Sequence, residues 1–245
     1  MDRVDMPTTL TRVFDWLDDE SESCRYIVTP NLDHAVILQN NDRMQEAYRH
    51  ASLVLAAGWP LVVFSRWFGK TLPERVAGSD LVPNLMERSA QRGGLRVFLL
   101  GGMPGVGEQA AETIARRWPH VEVVGVHSPP FGFEKDPAEN QRIVDLLEQT
   151  RPELLVVGLG APKQEIWLAQ HYGSLRSKVA VAAGATIDFL AGVQTRAPRW
   201  MQRMHLEWLY RAASDPKRLA GRYLRDALAL PGLLWRERQA TRREK

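Results

Sequence analysis

A single cysteine, Cys24, in 245 residues excludes an internal disulfide framework. With no C-x-x-C and no Cys/His cluster at ligand spacing, the sequence offers no structural zinc site either. A chain of this length buries a sizeable core without cross-links, and Cys24 reads as a small buried hydrophobe beside a strand. No D-x-D triplet occurs, so the carboxylate pair that can hold a divalent cation against a diphosphate is missing. The six histidines, His34, His50, His120, His127, His171 and His205, have no metal-ligand spacing and read as surface or packing residues. Neither a metal site nor a cofactor is expected. No stretch reaches the ~18 to 20 uninterrupted apolar residues of a spanning helix. The N-terminal MDRVDMPTTLTRVFDWLDDE is acidic where a secretory signal would be basic and then apolar. The expectation is a cytoplasmic protein, either free or peripheral at a membrane.

A large charge excess is also missing, but the net +3 is unevenly divided. Residues 199–245 hold 12 Lys and Arg against 5 Asp and Glu, a local +7, which leaves residues 1–198 at −4. The basic character is confined to the tail, so the chain divides into an expected core domain, 1–198, and a helical basic appendage, 199–245.

Short β-branched runs recur at Tyr26–Thr29, Leu53–Ala57, Arg96–Leu100, Val121–Val126, Leu154–Gly158 and Val179–Ala183. Between them lie segments of helical spacing, Asp33–His50, Asp80–Arg92, Gly105–Trp118 and Glu139–Thr150. That alternation predicts an α/β fold, a Rossmann-like, mostly parallel sheet with helices on both faces. The runs are nearly continuous in apolar residues, as strands buried on both sides must be. Ligands bind outside the carboxyl ends of such strands, which directs attention to Thr29-Pro30-Asn31, Gly58-Trp59-Pro60, Gly101-Gly102, Gly158-Leu159-Gly160 and Gly184-Ala185. After Gly192 the pattern is helical only, with Trp200, Met204 and Trp208 at i, i+4, i+8 and with Arg218, Arg222 and Arg225 sharing a face further on. Pro231-Gly232 is expected to break the last helix and the charged end beyond Arg236 to fray.

Several blocks carry possible chemistry. In Val157-Gly158-Leu159-Gly160-Ala161-Pro162-Lys163-Gln164-Glu165, glycines after a strand allow close backbone approach, and the amides opening the next helix can receive phosphate or sugar oxygens; a plain strand-to-helix turn with a solvated Gln164 explains it equally well. Gly101-Gly102-Met103-Pro104-Gly105-Val106-Gly107 contains a loose G-x-G-x-x-A, too far from its strand and without the later acidic residue of a dinucleotide site. Gly69-Lys70-Thr71 fails as a phosphate loop because Phe64 stands where the first glycine belongs. Asn31 or Asp33 would cap one helix and Ser79 or Asp80 another. Arg75, just ahead of the second helix, could instead grip a diphosphate.

The segments TPNLDH, ERVAGSDL, FLLGGMPG, VVGLGAPKQEIW, GATIDFLAG, RAPRWMQRMHLEWLYR and DPKRLAGRYLRD, in that order over roughly residues 25 to 230, resemble the WecG/TagA/CpsF family of bacterial glycosyltransferases. The resemblance implies an inverting, metal-independent transfer from a UDP-sugar to a polyprenyl-diphosphate-linked acceptor such as an undecaprenyl one, at the cytoplasmic face of the membrane. It implies that the basic tail covers the site and docks on the lipid surface, with no role for nucleic acid; self-association into a homo-oligomer stays open. Carried over by motif, Thr29 and Asn31 match the family's polar pair in the pocket and Arg75 its diphosphate-facing arginine. Gln164 matches its pocket glutamine and Asp188 a carboxylate near the nucleoside; Gly58, Gly101, Gly102, Gly158 and Gly160, from their places after predicted strands, are expected to face the substrate. Arg211, Arg218, Arg222 and Arg225 fall among its tail arginines. One position departs: the aspartate that would serve as general base is Ala57 here. A base is needed because the acceptor hydroxyl must lose its proton. The alanine leaves open an aspartate removed deliberately, a natural branch with another base, and a catalytically silent nucleotide-sugar or lipid-diphosphate binding protein.

Overall fold

The computed structural model describes residues 1–21, 23–198, 200–201, 204, 206–214 and 216–243, without the side chains at 211, 217, 218, 220, 240, 242 and 243. Six parallel strands, β1 (Arg25–Val28), β2 (Leu53–Val54), β3 (Leu95–Gly101), β4 (Val121–His127), β5 (Leu154–Gly158) and β6 (Val179–Ala182), form one sheet in the order β2-β1-β6-β5-β3-β4. β1 sits between β2 and β6, with Ile27 opposite both Leu53 and Val181. Alternate residues then face opposite sides. Ile27, Val97, Leu99, Val156 and Val181 pack in one core under α1 (Met6–Asp18), α5 (Gly78–Arg88) and α6 (Val106–Arg117). Tyr26, Val28, Phe98, Leu100, Val157 and Ala182 pack in the other under α7 (Pro137–Thr150) and α8 (Lys163–His171). Both faces being covered is why the strands read as unbroken apolar runs.

Side-chain caps account for some of the helix starts. Asp5 accepts from Thr8 N at 2.9 Å to open α1, and Asp136 accepts from Ala138 N at 3.0 Å to open α7. The expected helix over Asp33–His50 is in fact two, α2 (Leu32–Ile37) and α3 (Asp42–His50), joined by a 3-10 turn. The separation is local chemistry: Asn31 accepts from His34 N and Asn41 from Met44 N, so each asparagine starts its own helix. α4 (Trp59–Trp67) follows β2, and α9 (Thr186–Ala191) follows β6.

The tail forms α10 (Glu207–Ser214) and α11 (Pro216–Arg243). Two expectations fail here. Trp200, Met204 and Trp208 do not share one helix, since Met204 lies in a turn and Leu206 in no helix. Pro231 does not end α11 either; it removes one backbone donor, a loss confined to one turn, and good helix formers on both sides carry the helix to Arg243. α11 buries Leu219 and Asp226 and packs on α2. No helix among the described residues is long and apolar enough to cross a membrane.

Candidate active site

A cavity of about 380 Å³ opens at the carboxyl ends of β1, β2 and β6 and is closed over by α10 and α11. Thr29, Asn31, Ala57, Gly58, Arg75 and Gln164 all line it, together with Arg222 from the tail. Thr29 Oγ1 donates to Ala182 O at 2.8 Å, tying β1 to β6 and leaving the hydroxyl oxygen as an acceptor. Asn31 spends its Oδ1 on the α2 cap at 3.3 Å, which leaves its amide nitrogen as the group for a ligand. Gly58 is tight against that residue, since a Cβ there would lie 3.2 Å from Asn31 Cα.

The start of α5 forms the opposite wall. Ser79 and Asp80 do not cap this helix, contrary to expectation: Ala77 holds the N-cap position with no side-chain bond, and Ala77, Gly78 and Ser79 line the cavity. Its amides therefore present partial positive charge to whatever enters. Gly78 makes this possible, because a Cβ there would sit 2.9 Å from Ala183 Cα, so only glycine lets α5 press its end against β6. Arg75 stands in front, donating to Asp80 Oδ2 at 2.6 Å and reaching Ala57 O at 3.5 Å. Asp80 is shared with Arg196, 2.7 Å from its other oxygen.

The tail contributes Glu207 and Trp208 from α10 and Arg222, Tyr223, Asp226, Ala227 and Leu230 from α11. Positions 222, 223, 226, 227 and 230 form one helical face. Trp208 and Tyr223 meet edge to face, with ring centroids 6.2 Å apart. Asp33, expected as a cap, is instead the anchor for this helix: Arg225 donates to its Oδ1, and Arg222 Nη1 lies 3.7 Å from Oδ2. Asp226 is buried, and both that burial and the nearby Asp33 raise its carboxyl above the usual carboxylate range.

Behind the wall lies a buried polar group of Gln164, Glu165, His34 and Tyr48. Gln164 Nε2 donates to Glu165 Oε1 at 2.7 Å, and His34 Nδ1 is 2.7 Å from the Tyr48 hydroxyl and 3.9 Å from Glu165. Among the described residues Gln164 Oε1 is buried without a partner, in a residue that lines the cavity. Burial pushes Glu165 up to about 7 and His34 down to about 4, the latter helped by Arg222.

Glu165 yields a stability test. Its carboxyl titrates near 4.5 unfolded and near 7 folded, so between these values the folded state keeps a proton the unfolded chain has lost. Stability contributed at low pH is thus lost as pH rises through that window, by about 3 kcal/mol in all. Glu165→Gln, which retains an acceptor for Gln164, should gain about 2 to 3 kcal/mol relative to the parent between pH 4.5 and 8. Parallel urea-denaturation curves across that range would refute it.

Not every expected site residue reaches the cavity. Gly101, Gly102, Gly158 and Gly160 lie outside its lining; Gly101 and Gly158 serve close backbone packing, a Cβ on Gly101 falling 2.5 Å from Gly158 O and one on Gly158 falling 2.9 Å from Gly184 O. Asp188 is half-buried on α9 and accepts from Gln194 Nε2 at 3.0 Å, while its neighbours Ala185 and Phe189 line the cavity. Arg225 anchors α11 from the rim. The side chains of Arg211 and Arg218 lie outside the described residues, as do Arg199 and Arg203. Sequence reasoning missed Arg196, Glu207 and Asp226. The last was legible in principle, four residues after Arg222 and four before Leu230.

The model of the glycosyl transferase WecG/TagA/CpsF family matches residues 1–244. The chain belongs to the WecG/TagA/CpsF family. Within it, an N-acetylglucosaminyldiphosphoundecaprenol N-acetyl-beta-D-mannosaminyltransferase of Bacillus spizizenii is 32% identical over 193 residues, covering 79% of this chain and 72% of that protein. A protein of the same name from Staphylococcus aureus is 30% identical over 201 residues, covering 82% of this chain and 76% of its own length. Of the residues the motifs pointed to, Thr29, Asn31, Gly58, Arg75, Gln164 and Arg222 line the cavity, and Ala57 presents a methyl group where a carboxylate was expected.

Proposed function

We propose that the chain transfers a sugar, with inversion, from a UDP-sugar to a hydroxyl of a saccharide carried on polyprenyl diphosphate, working at a membrane surface. The observation that carries this reading is the uncapped start of α5 with Arg75 in front of it, both lining one cavity. Backbone amides at a helix start and a guanidinium are the groups that receive a diphosphate without a metal. About 380 Å³ suits a small polar ligand. The relatives' names supply the acceptor class, an undecaprenyl-diphosphate-linked N-acetylglucosamine, and N-acetylmannosamine as the sugar moved. In the transfer, the acceptor oxygen attacks the anomeric carbon as the bond to the diphosphate breaks, and UDP leaves with the electron pair.

The outer surface of the tail supports action at a membrane. Leu224, Leu228 and Trp235 are 63%, 75% and 63% exposed and form a stripe about half a turn round α11 from its cavity face. An apolar stripe on a basic helix suits the headgroup region of an anionic leaflet. A second reading, a protein that binds these ligands without turning them over, is favoured by Ala57 alone.

The test is UDP affinity by calorimetry with and without EDTA, followed by a UDP-sugar screen scored by released UDP and by sedimentation with anionic vesicles. Affinity unchanged by EDTA, turnover of one donor and sedimentation are expected. A large loss of affinity with chelator, restored by magnesium, would remove the metal-free part of the reading. Tight UDP binding with no turnover of any donor would favour the second reading.

A further inference from the structure

Among the described residues three carboxylates and one histidine line the cavity, Asp33, Glu207, Asp226 and His34. The transfer proposed above requires one group to take the acceptor proton, and the best acceptor is one whose basicity has been raised rather than suppressed. Asp33 is held by Arg225 at one oxygen and faced by Arg222 at the other, so both of its oxygens are engaged. Glu207 lies 3.9 Å from Arg75 and 3.9 Å from Arg196, one on each oxygen. His34 is committed to Tyr48 through Nδ1, and burial and Arg222 disfavour its cation. Asp226 differs. Only 3% of it is exposed, and its one hydrogen bond among the described residues is a long one, 3.4 Å from the adjacent Arg225. It stands on the face of α11 turned to the cavity, and burial together with Asp33 moves its carboxyl in the direction a base requires.

We propose that Asp226 is the general base of the transfer, a catalytic residue supplied by the C-terminal helix, so that the site is incomplete until α11 is docked. This rests on the glycosyltransferase reading. As the acceptor oxygen bonds to the anomeric carbon, the Asp226 carboxylate takes the hydroxyl proton. The carbon–oxygen bond to the diphosphate breaks, and its electron pair departs on UDP toward Arg75 and the amides of α5. The proton on Asp226 returns to solvent when product leaves. Docking of α11 through Arg222 and Arg225 to Asp33 then serves catalysis as well as closure. Position 57 faces the same cavity, so a carboxylate placed there should be able to stand in for Asp226.

The experiment uses the full chain, UDP as the binding probe, UDP-N-acetylmannosamine as donor and a lipid-linked N-acetylglucosamine diphosphate as acceptor. Asp226→Asn should lower kcat at least 100-fold, leave UDP affinity within about threefold and abolish the acid limb of the kcat–pH profile, while Ala57→Asp added to it should restore at least tenfold. Preserved UDP affinity also reports that the variant is folded. Wild-type kcat and an unchanged pH profile in Asp226→Asn would overturn the proposal and leave the glycosyltransferase reading intact. A silent parent that turns over only after Ala57→Asp would overturn it as well. If the parent neither binds UDP nor transfers, the underlying reading fails, and Asp226 with it.

Discussion

Gly101→Ala is expected to remove about 3 to 5 kcal/mol of stability, enough to threaten folding in a protein of ordinary margin. Two costs combine. The backbone at Gly101 has φ +118, a region an L side chain enters only with strain of about 1 to 3 kcal/mol. The added methyl would also lie 2.5 Å from Gly158 O, where β3 pairs with β5, and neither strand can move without disturbing the ladder, at about 1 to 3 kcal/mol of overpacking. Gly105→Ala is the control: φ is +84 there, but nothing lies within 4 Å of a new Cβ, so only the conformational cost of about 1 kcal/mol should appear. Urea denaturation of both variants separates the terms. Equal midpoints for the two would show that the contact with Gly158 does not matter.

Arg75→Ala should act on the ligand far more than on the fold. Asp80 keeps Arg196 at 2.7 Å after the substitution, so no buried carboxylate is left unpaired and the melting temperature should fall only slightly. UDP affinity should fall 10- to 100-fold and turnover by about 100-fold or more, in the range for losing one preorganised donor to a charged leaving group. Arg75→Lys should recover part of the affinity, because a point charge replaces the bidentate fork. Unchanged UDP affinity in Arg75→Ala would remove the diphosphate from this wall of the cavity.

Strand positions were legible because a sheet covered on both faces demands continuous apolar runs, and Leu154–Gly158 and Val179–Ala182 match their expected ranges to within a residue. The end of β1 was legible to within a residue, while β2 stops at Val54, three residues before its expected end at Ala57; Thr29, Asn31 and Gly58 still fall together in the cavity because each follows its strand. The start of α5 was misread because Ser79 and Asp80 are good cap residues, whereas the structure uses Asp80 to hold Arg75 and Arg196 and leaves the helix end open. Local propensity cannot foresee a carboxylate claimed by a residue more than a hundred positions away. The same limit hid Asp33, whose partners lie on α11. The glycines at 101 and 158 were assigned to a ligand because closeness to a neighbouring strand and closeness to a ligand leave the same mark on a sequence.

The central claim is that this cavity joins a UDP-sugar to a polyprenyl-diphosphate-linked acceptor, and the most direct measurement is transfer of radiolabelled sugar into the lipid phase by the unmodified full chain. The account predicts label in the lipid phase only when UDP-N-acetylmannosamine and a lipid-linked N-acetylglucosamine diphosphate are both present, with one UDP released per sugar moved and no loss in EDTA. Absence of lipid-bound label from both the parent and Ala57→Asp, with neither protein binding UDP, would contradict it.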